Sequence, residues 1–197
     1  MTGYQRLYSG IGRAAWGYFF VYFDFKLNTV SLTPAFIGYL LFLSAIALLC
    51  NEERELKLIR ALGILLALLN FIAWVASWYA VDLGNIPHIL NIIVGIINLY
   101  FHFQFITNLA SIAAKYQTPF SDFDKKLLRY RTLQTIMLTS ILVLSYLLTQ
   151  LQLFGTLVSL GMAIVYLIAA ILIMRTLFAF RRCLPEYSDY YLDTETE

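Results

Sequence analysis

The amino-acid sequence predicts an all-α integral membrane protein, a bundle of six transmembrane helices with both termini on the cytoplasmic side. Composition is the first reason. Apolar residues make up 60% of the chain and charged residues 13%, with a mean hydropathy of +0.73. Water-soluble domains sit near 45–50% and about 25%, and a chain of 197 residues could not hide that much apolar surface in one core. Pattern is the second. The apolar residues run continuously through six stretches instead of alternating, which favours helices over a β-barrel. Charge placement is the third: thirteen of the fourteen Lys and Arg residues fall on one side of a six-span arrangement, and the side rich in bases is cytoplasmic.

A hydrocarbon layer of roughly 30 Å needs about 20 apolar residues in helix. The stretches that meet this lie at 7–27, 31–50, 59–80, 86–112, 132–152 and 155–180. The first is the weakest, with Arg13 and Asp24 near its ends, each placed to snorkel to its own interface; Asp24, if it faces the bundle instead, is the candidate for a cation or proton site. The N-terminal twenty residues lack the short apolar core and small-residue cleavage site of a secretory signal, so this segment is expected to stay in place. Thr33-Pro34 places a capping hydroxyl before a proline at the first turn of the second helix. The run Asp82-Leu83-Gly84-Asn85-Ile86-Pro87 turns the chain between the third and fourth helices, which makes them antiparallel neighbours. Thr118-Pro119 ends the fourth. Ser121-Asp122-Phe123-Asp124 then resembles a capping box, and 120–131 reads either as an interfacial cytoplasmic helix on the membrane surface or as an extension of the fifth helix. The transmembrane domain closes at 182. Residues 183–197 form an acidic cytoplasmic tail with five acids, no bases and three tyrosines, expected to be solvated and mobile.

Base placement follows the loops. The 51–60 and 113–131 loops carry eight bases, and the 81–86 and 151–155 loops carry none. Lys26 is the one base assigned to the outer side. The net charge of +2 and the dispersal of the bases give no stripe suited to nucleic acid. Cys50 and Cys183 fall at cytoplasmic helix ends, where a structural disulfide is not expected.

The segment Ser31–Leu49, SLTPAFIGYLLFLSAIALL, carries Pro34, Phe36, Ile37, Gly38, Tyr39 and Leu41. In these residues it resembles the second helix of a family of small bacterial multi-pass membrane proteins, which reads P-x-F-I-G-Y-x-L. The match covers about a tenth of the chain. That family often has an acid before the proline, where this chain has Thr33. The resemblance implies a bacterial plasma membrane and assigns no activity.

Polar residues inside the spans are the candidates for function. His88, Asn91, Gly95, Asn98 and His102 recur every three or four residues, a stripe about 80° wide on the fourth helix. Lipid exposure is costly for such groups, so the stripe should face the bundle interior or water. Gly63, Ala67, Asn70, Trp74 and Ser77 form a matching stripe on the third. Asn70 and Asn98, both near mid-membrane, are expected to meet directly or through water, either as an interhelical bond or as part of a ligand wall. Thr135, Thr139, Tyr146 and Thr149 mark the fifth helix, and Thr156, Ser159, Ala163, Tyr166 and Ala170 the sixth. The resulting ligand-binding set is Asn70, Trp74, Asn91, Asn98, His102, Tyr146 and Tyr166, with Trp74 at the outer end.

No H-E-x-x-H, paired C-x-x-C, G-x-S-x-G or phosphate-cradling loop is present. His88 and His102 lie about 21 Å apart along a helix, too far to share a metal. No cofactor, metal or catalytic set is expected, and an enzyme is disfavoured. The expectation is a small, uncharged or weakly polar ligand bound or transported in the bundle. In size and span number this is similar to the substrate-binding subunits of energy-coupling-factor vitamin transporters, although Gly12-Arg13-Ala14-Ala15-Trp16-Gly17 lacks their A-x-x-x-A coupling pattern. The alternative is a non-catalytic membrane subunit or scaffold that meets a membrane-protein partner through its cytoplasmic loops.

Overall fold

A computed structural model describes residues 3–23, 26–27, 30–31, 33–78, 88–147 and 152–194. Six helices carry almost all of them: α1 (Gly3–Tyr22), α2 (Ala35–Leu49), α3 (Arg60–Trp78), α4 (His88–Tyr116), α5 (Phe123–Leu147) and α6 (Gln152–Thr194). A 3-10 turn at Arg54–Lys57 links α2 to α3. Between α1 and α2 two-residue strands, β1 (Lys26–Leu27) and β2 (Val30–Ser31), pair antiparallel.

Among the described residues three helical segments are long and apolar enough to cross a membrane: Arg60–Trp78, Leu90–Tyr116 and Leu157–Leu184. Their large apolar side chains point outward, Ile64, Leu68 and Ile72 on α3, Ile93 and Ile96 on α4, and Leu160 and Ile164 on α6. A hydrocarbon solvent accepts such a surface and water does not. α2 is equally apolar but has 15 residues, about 22 Å.

Helices pack as a chain of neighbours in the order α3, α2, α1, α6, α5, α4. The tightest crossing is α1 on α2. A Cβ on Gly38 would stand 2.7 Å from the carbonyl oxygen of Gly17, and one on Gly17 would strike the Phe42 ring. Glycine at both positions lets the two backbones touch. The end of the bundle that gathers the bases is closed. There Leu7, Ile11, Phe42, Leu49, Leu56, Phe105, Leu109, Ile112 and Phe180 are completely buried. The 50–58 loop is tied onto α4 by Lys115, which pairs with Glu53 at 3.4 Å and donates to the Glu52 carbonyl at 2.8 Å, and by Gln104 donating to Glu55 at 2.9 Å. Toward the other end the packing thins. Among the described side chains, 68–78 of α3, 90–100 of α4 and 157–168 of α6 include none that is fully buried.

Several local expectations change. Residues 123–131 are not a separate interfacial helix but the first turns of an unbroken α5. Its start is capped by Gln117, whose Oε1 accepts the N–H groups of Phe123 (2.9 Å) and Asp124 (3.3 Å) while its Nε2 donates to Asp124 Oδ1 at 2.8 Å. The expected Ser121 box is displaced because the Ser121 hydroxyl bonds Thr118 instead. The N-cap of α2 is Pro34, and the Thr33 hydroxyl donates to Phe23 O at 2.6 Å, which fastens the end of α1. Arg13 does not snorkel outward alone but donates to Ser44 Oγ on α2. α6 stays helical through Thr194, so most of the expected mobile tail is helix. Asp24 and the turn at 82–87 lie outside the described residues.

Candidate binding site

Where the closed end gives way to the open half, tyrosines, amides and one histidine converge from five helices. α1 supplies Tyr18 and Tyr22, one turn apart with rings stacked 3° from parallel. They face inward because Ala14 and Gly17 fill the seam against α2. Tyr18 packs on Phe42, and its hydroxyl lies 3.3 Å from His102 Nδ1. Gln134 of α5 is 4% exposed. Its Nε2 donates to the Tyr22 hydroxyl at 2.6 Å, which is 3.0 Å from the hydroxyl of Tyr166 on α6. Tyr39 of α2 donates to Asn98 Oδ1 at 2.9 Å. Buried polar groups need such partners, and a linked set fixes the rings in one arrangement.

Above this layer lies a cavity of about 450 Å³, within the range that holds small organic ligands. Tyr22, Tyr39, Asn70, Asn98 and Tyr166 give it polar atoms, and Val21, Ala35, Leu66, Val94, Ala163 and Leu167 give it apolar wall. No Asp, Glu, Lys or Arg is among the lining residues. A second space of about 10 Å³ lies beside His102, Gln134 and Tyr166, room for about one water. His102 Nε2 is buried there without a partner among the described residues.

Of the seven residues expected from sequence, Asn70, Asn98 and Tyr166 line the cavity. His102 is buried one turn nearer the basic end, in the tyrosine layer rather than in the cavity wall. Trp74 lies elsewhere, in an aromatic group with Phe36, Phe71 and Trp78. Asn91 is exposed. The side chains of Tyr146 and His88 lie outside what is described.

Asn70 and Asn98 do not bond each other. Asn70 Nδ2 donates to Leu66 O on its own helix at 2.8 Å, and Asn98 is held by Tyr39. Register explains this. A Cβ on Gly63 would lie 3.0 Å from the Phe101 ring, so α3 and α4 meet at that level. From it Asn70 is about 10 Å along its helix and Asn98 about 4.5 Å, an offset of about 6 Å. Beyond that meeting the two helices, expected as close neighbours, touch little over the described residues. α4 instead sends Phe101, His102 and Phe105 against Phe42 of α2.

Tyr18, Tyr22 and Gln134 were not in the expected set, and Tyr39 entered only through the second-helix motif. The four-residue spacing of Tyr18 and Tyr22 beside Gly17, and an amide in the apolar part of α5, were the available signals. Among the described residues no three of His, Cys, Asp and Glu come together as a metal-ligating group. The chain matches no protein-family model, no curated protein and no solved structure.

Proposed function

We propose that the chain is a six-span membrane protein, with its basic end and both termini cytoplasmic, that binds or transports a small uncharged or weakly polar molecule. The observation that carries this reading is the cavity of about 450 Å³ lined by three tyrosines, two asparagines and aliphatic side chains, without a charged residue. Such a lining offers directed hydrogen bonds and apolar contact, and it gives an ion no opposite charge to offset the loss of its hydration. The fixed tyrosine layer beneath it would form a floor whose rings are ordered before the ligand arrives, which lowers the entropy cost of binding. The second-helix motif favours a bacterial plasma membrane.

Native mass spectrometry of the protein extracted in mild detergent tests this. The wild-type chain should retain a small-molecule mass that Ala163→Phe, which fills the cavity from its exposed side, abolishes while the melting temperature is kept. A wild-type chain that carries no small molecule, but brings the same membrane protein with it in both forms, would make it a subunit or scaffold.

A further inference from the structure

A second hollow lies outside the bundle, at the basic end, in the groove between α5 and α6. Its volume is about 270 Å³, and Phe123, Lys126, Tyr130, Leu172, Arg175 and Thr176 line it. These residues converge because each helix presents one face. Positions 123, 126 and 130 of α5 and positions 172, 175, 176 and 179 of α6 follow three- and four-residue spacings. The two faces are registered by the Phe123–Phe180 ring contact at 5.8 Å. Lys126 and Arg175 are both exposed, and neither has a carboxylate partner among the described residues. The nearby Lys125 differs, since Asp122 engages it at 3.3 Å. Thr176 spends its hydroxyl hydrogen on Leu172 O at 2.7 Å, which leaves its oxygen lone pairs but no donor for a ligand.

Depth is the other observation. Arg175 lies about 27 Å along α6 from Leu157, the first residue of the apolar span as described, a length close to that of a hydrocarbon layer of roughly 30 Å. Ile168 and Ile164, two and three turns below it, are exposed apolar surface. The groove thus has two cations without a carboxylate partner among the described residues, Lys126 lying over the Phe123 ring at 5.9 Å, with an aromatic and aliphatic wall and an oily surface beneath.

We propose that this groove binds the phosphate headgroup of an anionic phospholipid, with Lys126 and Arg175 holding the phosphate and the acyl chains running down α6 past Ile168. Two cations lining one hollow with aromatic and aliphatic side chains fit a phosphate diester that carries a greasy body. Basic pockets between membrane helices hold anionic headgroups by this chemistry.

The test titrates the full-length protein in maltoside micelles with fluorescent phosphatidylglycerol, and in parallel with fluorescent phosphatidylcholine. Lys126→Gln and Arg175→Gln are each expected to weaken phosphatidylglycerol binding about fivefold, and together about thirtyfold, with phosphatidylcholine unchanged. Because both side chains are exposed, melting temperatures should stay near wild type, and either single variant reads the same effect with one surface residue changed. Lys57→Gln with Arg60→Gln removes two exposed bases from the same end but on the α3 side, and should leave binding intact. Equal loss in that pair would mean a diffuse basic surface, and unchanged binding in the groove pair would mean no site; either overturns the proposal. Displacement of the lipid by millimolar inorganic phosphate would make the occupant a free anion and overturn it as well.

Discussion

Asn98 lines the cavity from the middle of α4, and its Oδ1 accepts the Tyr39 hydroxyl. An amide in the middle of an apolar helix has few inexpensive placements, so its interior position could be read directly. Its partner could not, because Tyr39 is amphipathic and near a helix start reads equally well as an interface anchor. The bond that forms is Tyr39 to Asn98. A double-mutant cycle with Tyr39→Phe and Asn98→Leu, followed by unfolding in detergent, should give a coupling of about 0.6 kcal/mol and no more than about 1.7. The same cycle between Asn70→Leu and Asn98→Leu should be additive, since Asn70 bonds its own helix. Threonines misled for a related reason. Thr107, Thr132 and Thr176 each return their hydroxyl to a carbonyl four residues back, so a threonine stripe says little about what a helix faces. On α5 it drew attention to Thr139, which is exposed, and away from Gln134, which is buried. A charged example lies at the start of α5. Burial opposes ionisation of Asp124, but hydrogen bonds from Gln117 and the Lys125 N–H, with the Lys125 charge, hold its carboxyl below the ordinary value of 3.8. A lowered folded pKa stabilises above the unfolded value and the gain is lost as pH falls through the folded one. Stability in detergent should therefore decline below about pH 3.9. Gln117→Ala should flatten that decline and cost about 0.5–2 kcal/mol at neutral pH.

Helix existence and the gathering of the bases at one end were legible, because apolar run length and base placement answer to direct physical requirements of a bilayer; that this end is also tightly closed was not. Helix adjacency was less so. A short turn argues that α3 and α4 lie side by side, yet the aromatic face of α4 finds a better partner in Phe42 and Tyr39 of α2. What sequence did offer was the list of small residues, and the α1–α2 crossing uses two of them. Gly38→Ala would force a methyl to within 2.7 Å of the Gly17 carbonyl oxygen, and backbone cannot yield as a flexible side chain can. The expected cost is about 1–3 kcal/mol of stability. Gly161→Ala is the contrasting case: its added Cβ meets nothing within 4 Å, and alanine is the better helix former. It should leave the melting temperature unchanged or raised. Equal losses in the two variants would mean that α1 and α2 do not cross backbone to backbone.

At the scale of the molecule, the described residues close tightly at the basic end and pack thinly toward the other, in the manner of a cup. On the six-span reading, cysteines placed at Asn85 and Phe154 should react with an impermeant maleimide in intact cells, and one at Lys126 should not. The reverse pattern would invert the topology. The cup's rim was not legible in the sequence because hydropathy reports how apolar a segment is, not whether its neighbour is protein or lipid. Over the described residues the least closed flank is the one between α3 and α4, which meet at Gly63 and Phe101 and touch little beside the cavity. A guest admitted there would come out of the hydrocarbon, having left its hydration shell behind on entering the membrane. Its occupancy would track its mole fraction in the lipid rather than its concentration in water. Two compounds with identical contacts in the cavity would then rank by oil–water partition coefficient, and selectivity would be exercised partly by the bilayer.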